Sequence, residues 1–379
     1  MNNDNLSKLI NNFYNINDLY KDDIPSKIEK INLMSEIFNN MKQIGINNSY
    51  ELLDIISTKN YSLLDSYVKN TNNLILFIYE KSSNLYKIEL DNKINYIIKK
   101  NISIGSYHQI IKIKNPDQKT NYALRKQRDV SKNDLFDSFS DFFIHSILSL
   151  YQKIIYKQEV FIPNLYYIGI NEKLNKAIGV MTLYNGSLLD ILSNKKINEI
   201  IKIKIIFTCL YQITFHLNNL QQVFKFTHND LKVNNIFYKS SKNLENLSDI
   251  DENIKINFYI GDFGFSRLKI FHPEKKKNIK IYGGALLAYS NNSKLYSFIP
   301  GKDLYFLCHN IYIYSPNTVK TEIINFFKLF NDFDLYLTIG DNWFKIYGDF
   351  ENHKLFEPKI FMNILKKSYY SKYILSILK

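Results

Sequence analysis

The chain has 379 residues, 45% of them hydrophobic, and 49 lysines and arginines against 36 acidic residues, for a formal net charge of +13. That is enough apolar chain for one large core or two smaller ones, which excludes an intrinsically disordered protein. The positive balance suits phosphate-rich or acidic partners, but arginine occurs only at Arg125, Arg128 and Arg267 and no RNA-binding signature is present, so no nucleic-acid partner is expected.

Cys209 and Cys308 each lie in an apolar run, which predicts buried thiols in a reducing compartment. The first residues, MNNDNLSKL, carry no apolar signal segment. The longest candidate for a membrane span, residues 200–217, is interrupted by Lys202 and Lys204. A cytoplasmic protein without a span is therefore expected. Asn, Lys, Ile, Tyr and Phe are abundant, a bias that matches an AT-rich genome and carries no functional weight.

In chain order, residues 1–72 read as a helical extension. Ser26 and Glu29 form a capping box after Pro25, and Ile31, Met34, Phe38 and Met41 recur at helical spacing. From residue 73 the period changes. LILFIYE, NLYKIEL and INYIIKK, separated by SSN and DNK, read as a strand meander that extends the sheet of the following region. Residues 73–180 are expected to form one β-rich unit and residues 181–379 a mainly helical one.

NISIGSYHQIIKIKN contains a single glycine, Gly105, with Ser103 and His108 flanking it and Ile110 beyond. YALRKQ reads as a strand whose alternation puts Ala123 and Arg125 on one face and Lys126 on the other. DSFSDFFIHSILSLYQKI reads as a helix with an apolar stripe of Phe143, Ile147, Leu150 and Ile154. It carries Asp137 and Asp141 one turn apart, and there is no glutamate between Glu89 and Glu159. AIGVMTLYNGSLLDIL reads as a strand through Val180 and Met181, a turn at NGS, and a helix capped by Ser187. Ile206, Leu210, Ile213, Leu217 and Leu220 then step by three and four, predicting one long core helix.

The chemistry is concentrated in two stretches, THNDLKVNNIFY (227–238) and YIGDFGFSRL (259–268). Their apolar ends, IFY and FYI, predict short strands beside the loops. Phosphoryl transfer needs a carboxylate to take the acceptor hydroxyl's proton and a cation to offset charge on the moving phosphoryl group. It also needs oxygen ligands for the metal ions. Asp230, Lys232, Asn235 and Asp262 supply that set. The polar run KSSKNLENLSDIDENI, residues 239–254, is expected to be a surface loop outside the core. Farther on come a basic cluster, Lys275 to Lys277, then GGALLAYS and FIPGKDLYFL with Asp303. Several short helices follow, with Phe326, Phe327, Leu329 and Phe330 on a packed face and Trp343 in the core.

H-x-D-L-K-x-x-N followed by D-F-G, in that order and between strands, resembles the protein kinase superfamily. The resemblance covers roughly residues 100–310. It implies an α+β, bilobal fold with a small β-rich N-lobe and a mainly helical C-lobe. It implies an ATP-dependent Ser/Thr protein kinase, the Ser/Thr preference following from Lys232, with Asp230 as base, Lys232 at the γ-phosphate, and Asn235 and Asp262 as ligands of Mg2+. Gly105 and Ile110 would lie at the glycine-rich loop and over the adenine, with Ala123 and Met181 nearby and hinge backbone near Thr182 and Leu183. The phosphate-binding cation is Lys126 if chemistry rules and Arg125 if strand alternation rules. Asp141 is the candidate for the helix acid that pairs with it.

His228 is expected to pack the loop, and Asp303 to tie its helix to it or to cap that helix. Asn229 stands where many members carry the arginine that receives an activation-segment phosphate; asparagine cannot neutralise one. No A-P-E motif follows. The compact pattern is similar to kinases of large DNA viruses such as the poxvirus virion kinase group, which would place the protein in host cytoplasm or a virion. Two other readings stand beside a protein-phosphorylating enzyme. One is a pseudokinase scaffold, suggested by the altered glycine loop and missing glutamate; the other is a kinase-fold phosphotransferase acting on a small molecule.

Overall fold

A computed structural model describes residues 76–84, 87–90, 94–104, 108–114, 120–127, 141–152 except 143, 146 and 150, then 156, 160–171, 176–247, 254–272, 277–283, 286, 297–330 and 350–374. Ser26, Glu29 and the rest of the helical extension lie outside these residues, as do Gly105, Asp137, Phe143, Leu150, Ile154, Lys275, Lys276 and Trp343. The chain is an α+β protein that divides into two units. The first comprises Met1–Leu183 with Phe263–Asn291, the second Tyr184–Asp262 with Asn292–Lys379.

In the first unit, seven strands close into a barrel: β1 (Leu76–Asn84), β2 (Lys87–Leu90), β3 (Ile94–Ile104), β4 (His108–Lys114), β5 (Asn121–Gln127), β6 (Leu165–Asn171) and β7 (Lys176–Thr182). The order is β1-β2-β3-β4-β5-β7-β6, and closure comes from β1 running parallel to β6, Leu76 opposite Tyr167. INYIIKK and NISI are one continuous strand, β3, so the meander is part of the barrel wall. The alternation of HQIIKIK buries Ile111 and Ile113 and leaves Lys112 and Lys114 half-exposed, as one inward face requires.

The described residues between 141 and 156 are helical. Of the expected stripe only Ile147 is among them, and it is buried together with Phe142, Ile144, Leu148 and Tyr151. The helix is stitched to the chain leading into β6. Gln152 Oε1 accepts from the amides of Val160, Phe161 and Ile162, and its Nε2 donates to Ile162 O at 2.6 Å. The same unit holds a two-stranded sheet of β11 (Arg267–His272) and β12 (Lys277–Tyr282).

In the second unit the long helix Glu199–Phe224 is the core element. By length and composition it could cross a membrane, but 72% of its most apolar window is buried inside the protein. It buries Ile206, Leu210, Ile213, Leu217 and Leu220, the residues whose spacing predicts it. Gln212 fixes it to the sheet of β8 (Gly186–Ser187), β9 (Ile236–Ser240) and β10 (Ile256–Ile260). Its Nε2 donates to Ile256 O at 2.8 Å and its Oε1 accepts from Phe258 N at 2.9 Å. Ser187 caps the short helix Leu188–Ser193 in a reciprocal box with Asp190.

Two expectations are corrected here. The polar run after residue 238 is not all surface: it continues β9 to Ser240, and Leu244 and Ile254 are buried, because two apolar side chains suffice to anchor a polar loop. Phe326, Phe327 and Phe330 are packed against Phe356 and Phe361, but Leu329 is 49% exposed. Consecutive residues after the helix Asn317–Phe327 cannot all face one side.

Candidate functional site

In the second unit, β9 and β10 pair antiparallel from Ile260 opposite Ile236 to Ile256 opposite Ser240, and the loops at that end carry the motif residues. Gly261 N donates to Asn235 O at 2.9 Å, which joins the two loops. A Cβ on Gly261 would come within 2.4 Å of the Phe237 ring, so the close approach requires glycine.

Asp230 is the centre of the cluster. Its Oδ2 accepts from Lys232 Nζ at 2.8 Å and from Asn235 Nδ2 at 3.1 Å. Asn235 Nδ2 also donates to Asp230 O at 2.9 Å. The amide nitrogen is thereby spent on Asp230, leaving Oδ1 as the ligand atom Asn235 could offer a cation. Asp262 is exposed, with its backbone at φ 65, and its charge acts on both Asp230 and Lys232.

Burial pushes the Asp230 carboxyl above its ordinary range. The Lys232 ammonium opposes that shift and the Asp262 carboxylate adds to it. Burial alone would lower Lys232, but the Asp230 charge and hydrogen bond, with Asp262, outweigh it and raise the ammonium's pKa. Geometrically the two form an ion pair, and the charge of Asp262 acts on both members.

The loop is held from beneath. His228 is fully buried; its Nδ1 accepts from Asp230 N at 3.3 Å, which assigns the proton to Nε2, the atom that meets Gly261 O at 3.0 Å. Asp303, in the first turn of the helix Lys302–Tyr314, accepts from His228 N at 2.8 Å and from Asn229 N at 2.9 Å. Of the two roles anticipated for Asp303, these bonds are the tie to the loop. Its carboxyl is raised by burial, against the pull of His228, the two backbone donors and Lys302. Asn229 and Asp262 are two of the three non-glycine residues with left-handed backbone among the described residues. Such conformations cluster where surrounding structure over-determines them, functional sites above all.

The first unit holds a second cluster. Arg125 and Asp141 form an ion pair, both buried. Arg125 Nη2 also donates to His108 Nδ1 at 3.1 Å, and the guanidinium lies 5.4 Å from the centre of the Phe142 ring. The remaining Asp141 oxygen, Oδ1, accepts from Phe263 N at 2.8 Å, and the Phe263 ring packs against His145. Phe142 reaches this place because Gly179, opposite Arg125 across β5 and β7, has no Cβ; one would lie 2.3 Å from the ring.

Of the sequence-derived site residues, Asp230, Lys232, Asn235 and Asp262 come together in one unit, and Arg125 and Asp141 in the other. Arg125, not Lys126, reaches Asp141; Lys126 is half-exposed. Ala123 and Met181 are buried and Ile110 is half-buried. Thr182 N is engaged by Asn164 O at 3.0 Å. Sequence reasoning missed His108 as a partner of Arg125, Phe142 with Gly179 beneath it, and Lys302, whose Nζ donates to Asn229 Oδ1 at 2.7 Å. No local pattern marks any of these contacts.

Among the described residues no group of three or more His, Cys, Asp or Glu is placed to hold a metal ion. Asn235 Oδ1 and the Asp262 carboxylate are hard oxygen donors, a set that suits Mg2+, which binds through one or two carboxylates and takes its other ligands from water and phosphate. No protein-family model matches the chain, and no curated protein matches its sequence.

Proposed function

We propose that this protein transfers the γ-phosphoryl group of ATP to a serine or threonine hydroxyl of a protein, within a bilobal, kinase-like arrangement of a β-rich nucleotide lobe and a helical catalytic lobe. The observation that carries the reading is the cluster on Asp230: one half-buried carboxylate with an ammonium at 2.8 Å and a carboxamide at 3.1 Å, and a second acidic group acting on the pair. In the reaction the hydroxyl oxygen attacks phosphorus, the bond to ADP breaks, and the hydroxyl proton passes to Asp230. Lys232 offsets the charge that spreads over the transferred group. Asn235 and Asp262 would hold Mg2+, which supplies charge neutralisation at the phosphates. The buried loop beneath keeps Asp230 in place, and positioning is most of what this chemistry asks of a protein.

In the first unit Arg125 takes the place of the phosphate-contacting cation, paired to Asp141. A scaffold that binds partners without catalysis is the second reading, and it is favoured by Arg125 itself. Two of its faces are spent on Asp141 and His108, and a guanidinium does not replace a compact ammonium. The deciding experiment offers purified protein, labelled ATP and Mg2+ a basic protein, an acidic protein and a small alcohol. Transfer to a protein hydroxyl that disappears in Asp230→Ala supports the enzyme. Transfer to the alcohol alone makes the substrate a small molecule. No transfer to any acceptor leaves the scaffold.

A further inference from the structure

The cluster beneath the catalytic loop contains a cation in an unfavourable place. Lys302 is 2% exposed and is the first residue of its helix, where the backbone dipole already presents positive charge. Burying an ammonium is costly unless it is paired and hydrogen-bonded. The adjacent Asp303 carboxylate, 1% exposed, supplies the opposite charge. An apolar residue at this position would spare the burial of an ammonium but leave the buried Asp303 carboxyl without that cation, so the lysine offsets Asp303 in addition to the bond it donates.

What the lysine does is visible at Asn229. That residue is 3% exposed and holds a left-handed backbone at φ 63. Its backbone N–H donates to Asp303 Oδ1 at 2.9 Å and its side-chain Oδ1 accepts from Lys302 Nζ at 2.7 Å. Two consecutive residues of one helix therefore grip both ends of the residue immediately before Asp230. Asparagine tolerates the left-handed region better than most residues but does not prefer it, so an external hold on its side chain biases the conformation. The direction in which the chain enters Asp230 depends on that φ.

We infer that Lys302 is a positioning residue. Through Asn229 it fixes the left-handed turn that aims Asp230, and this internal grip presets the loop without any covalent modification. The catalytic part of this inference rests on the phosphoryl-transfer reading; the grip itself does not.

The test uses the full chain with Lys302→Met, which keeps the stem and removes the ammonium, with Asn229→Gly, which keeps access to positive φ and removes the acceptor, and with the double variant. Two measurements are made on each: kcat and KM for ATP, and hydrogen exchange at the amides of residues 227–231 and of β10. The inference expects Lys302→Met to lower kcat by about 10- to 100-fold, the scale of an ångström-sized misplacement, with KM for ATP unchanged. Exchange should quicken at His228 and Asn229 and stay slow in β10. The double variant should be no worse than Lys302→Met, because both substitutions remove one bond. Phosphatase treatment should leave wild-type kcat unchanged.

Unchanged kcat and exchange in Lys302→Met overturn the inference. So does exchange that quickens equally in β10, which makes Lys302 a packing residue only. If Lys302→Met fails to fold, Asn229→Gly decides by the same two measurements. If the wild type transfers no phosphoryl group, the functional reading falls, and exchange at His228 and Asn229 still decides whether the grip exists.

Discussion

Replacing Asp141 by asparagine should cost stability out of proportion to the one atom changed. Arg125 is 5% exposed and Asp141 1% exposed, so their pair lies where water cannot screen a lone charge. Asp141→Asn keeps an oxygen that can accept from Phe263 N and leaves the guanidinium with His108 Nδ1 and the Phe142 face. Breaking a buried pair from one side costs about 3–5 kcal/mol, about a fifth or more of the roughly 5–15 kcal/mol that holds a typical domain folded.

Arg125→Met in the same chain removes the stranded charge and fills much of the volume with an adaptable apolar side chain. The double variant should therefore recover much of the loss, since it leaves no buried charge without its partner. Urea unfolding followed by circular dichroism on the wild type, both single variants and the double variant gives the four corners of the cycle. On the proposed function, the double variant should be stable and inactive. A double variant as unstable as the sum of the two singles would refute the reasoning, since it would mean that Arg125 and Asp141 contribute separately and not as compensating charges.

Asp230→Asn should leave unfolding unchanged within about 1 kcal/mol and lower kcat by about 100- to 10,000-fold, the range for losing a positioned base; a steady-state assay with labelled ATP reads it. His216, buried on the long helix, is lowered by burial from 6.5 to about 3. The unfolded chain therefore binds a proton that the folded one refuses. The associated stability is fully present above pH 6.5 and is lost as pH falls toward 3, at up to about 1.4 kcal/mol per pH unit. His216→Leu should flatten the acid side of a melting-temperature profile over that window, and an unchanged slope would remove His216 from the account. Gly301→Ala should be poorly tolerated, because a Cβ there would lie 1.6 Å from the carbonyl oxygen of His353, backbone that cannot swing aside. Equilibrium unfolding should show a clear loss, and neutrality would mean that the two segments do not pack as described.

The local order of this protein was legible in its residues. The three- and four-residue steps from Ile206 to Leu220 mark the long helix, because one apolar stripe must face one core. The apolar ends of the two motif stretches mark β9 and β10, and the spacing of Asp230, Lys232 and Asn235 puts three polar groups on one short loop. What the tertiary structure decided were the partners of charges.

Strand alternation favoured Arg125 and side-chain chemistry Lys126 as the cation of the first unit, and it is Arg125 that pairs with Asp141, an acid on another element. Lys302 meets Asn229 across 73 residues of sequence, and Phe263 N meets Asp141 across 122. The same holds for Leu329, exposed beside three buried phenylalanines. Periodicity is a property of neighbouring residues, so a sequence carries it directly. The compensation of a buried charge is a property of whatever segment folding brings within about 3 Å, and no residue near either partner records which segment that is.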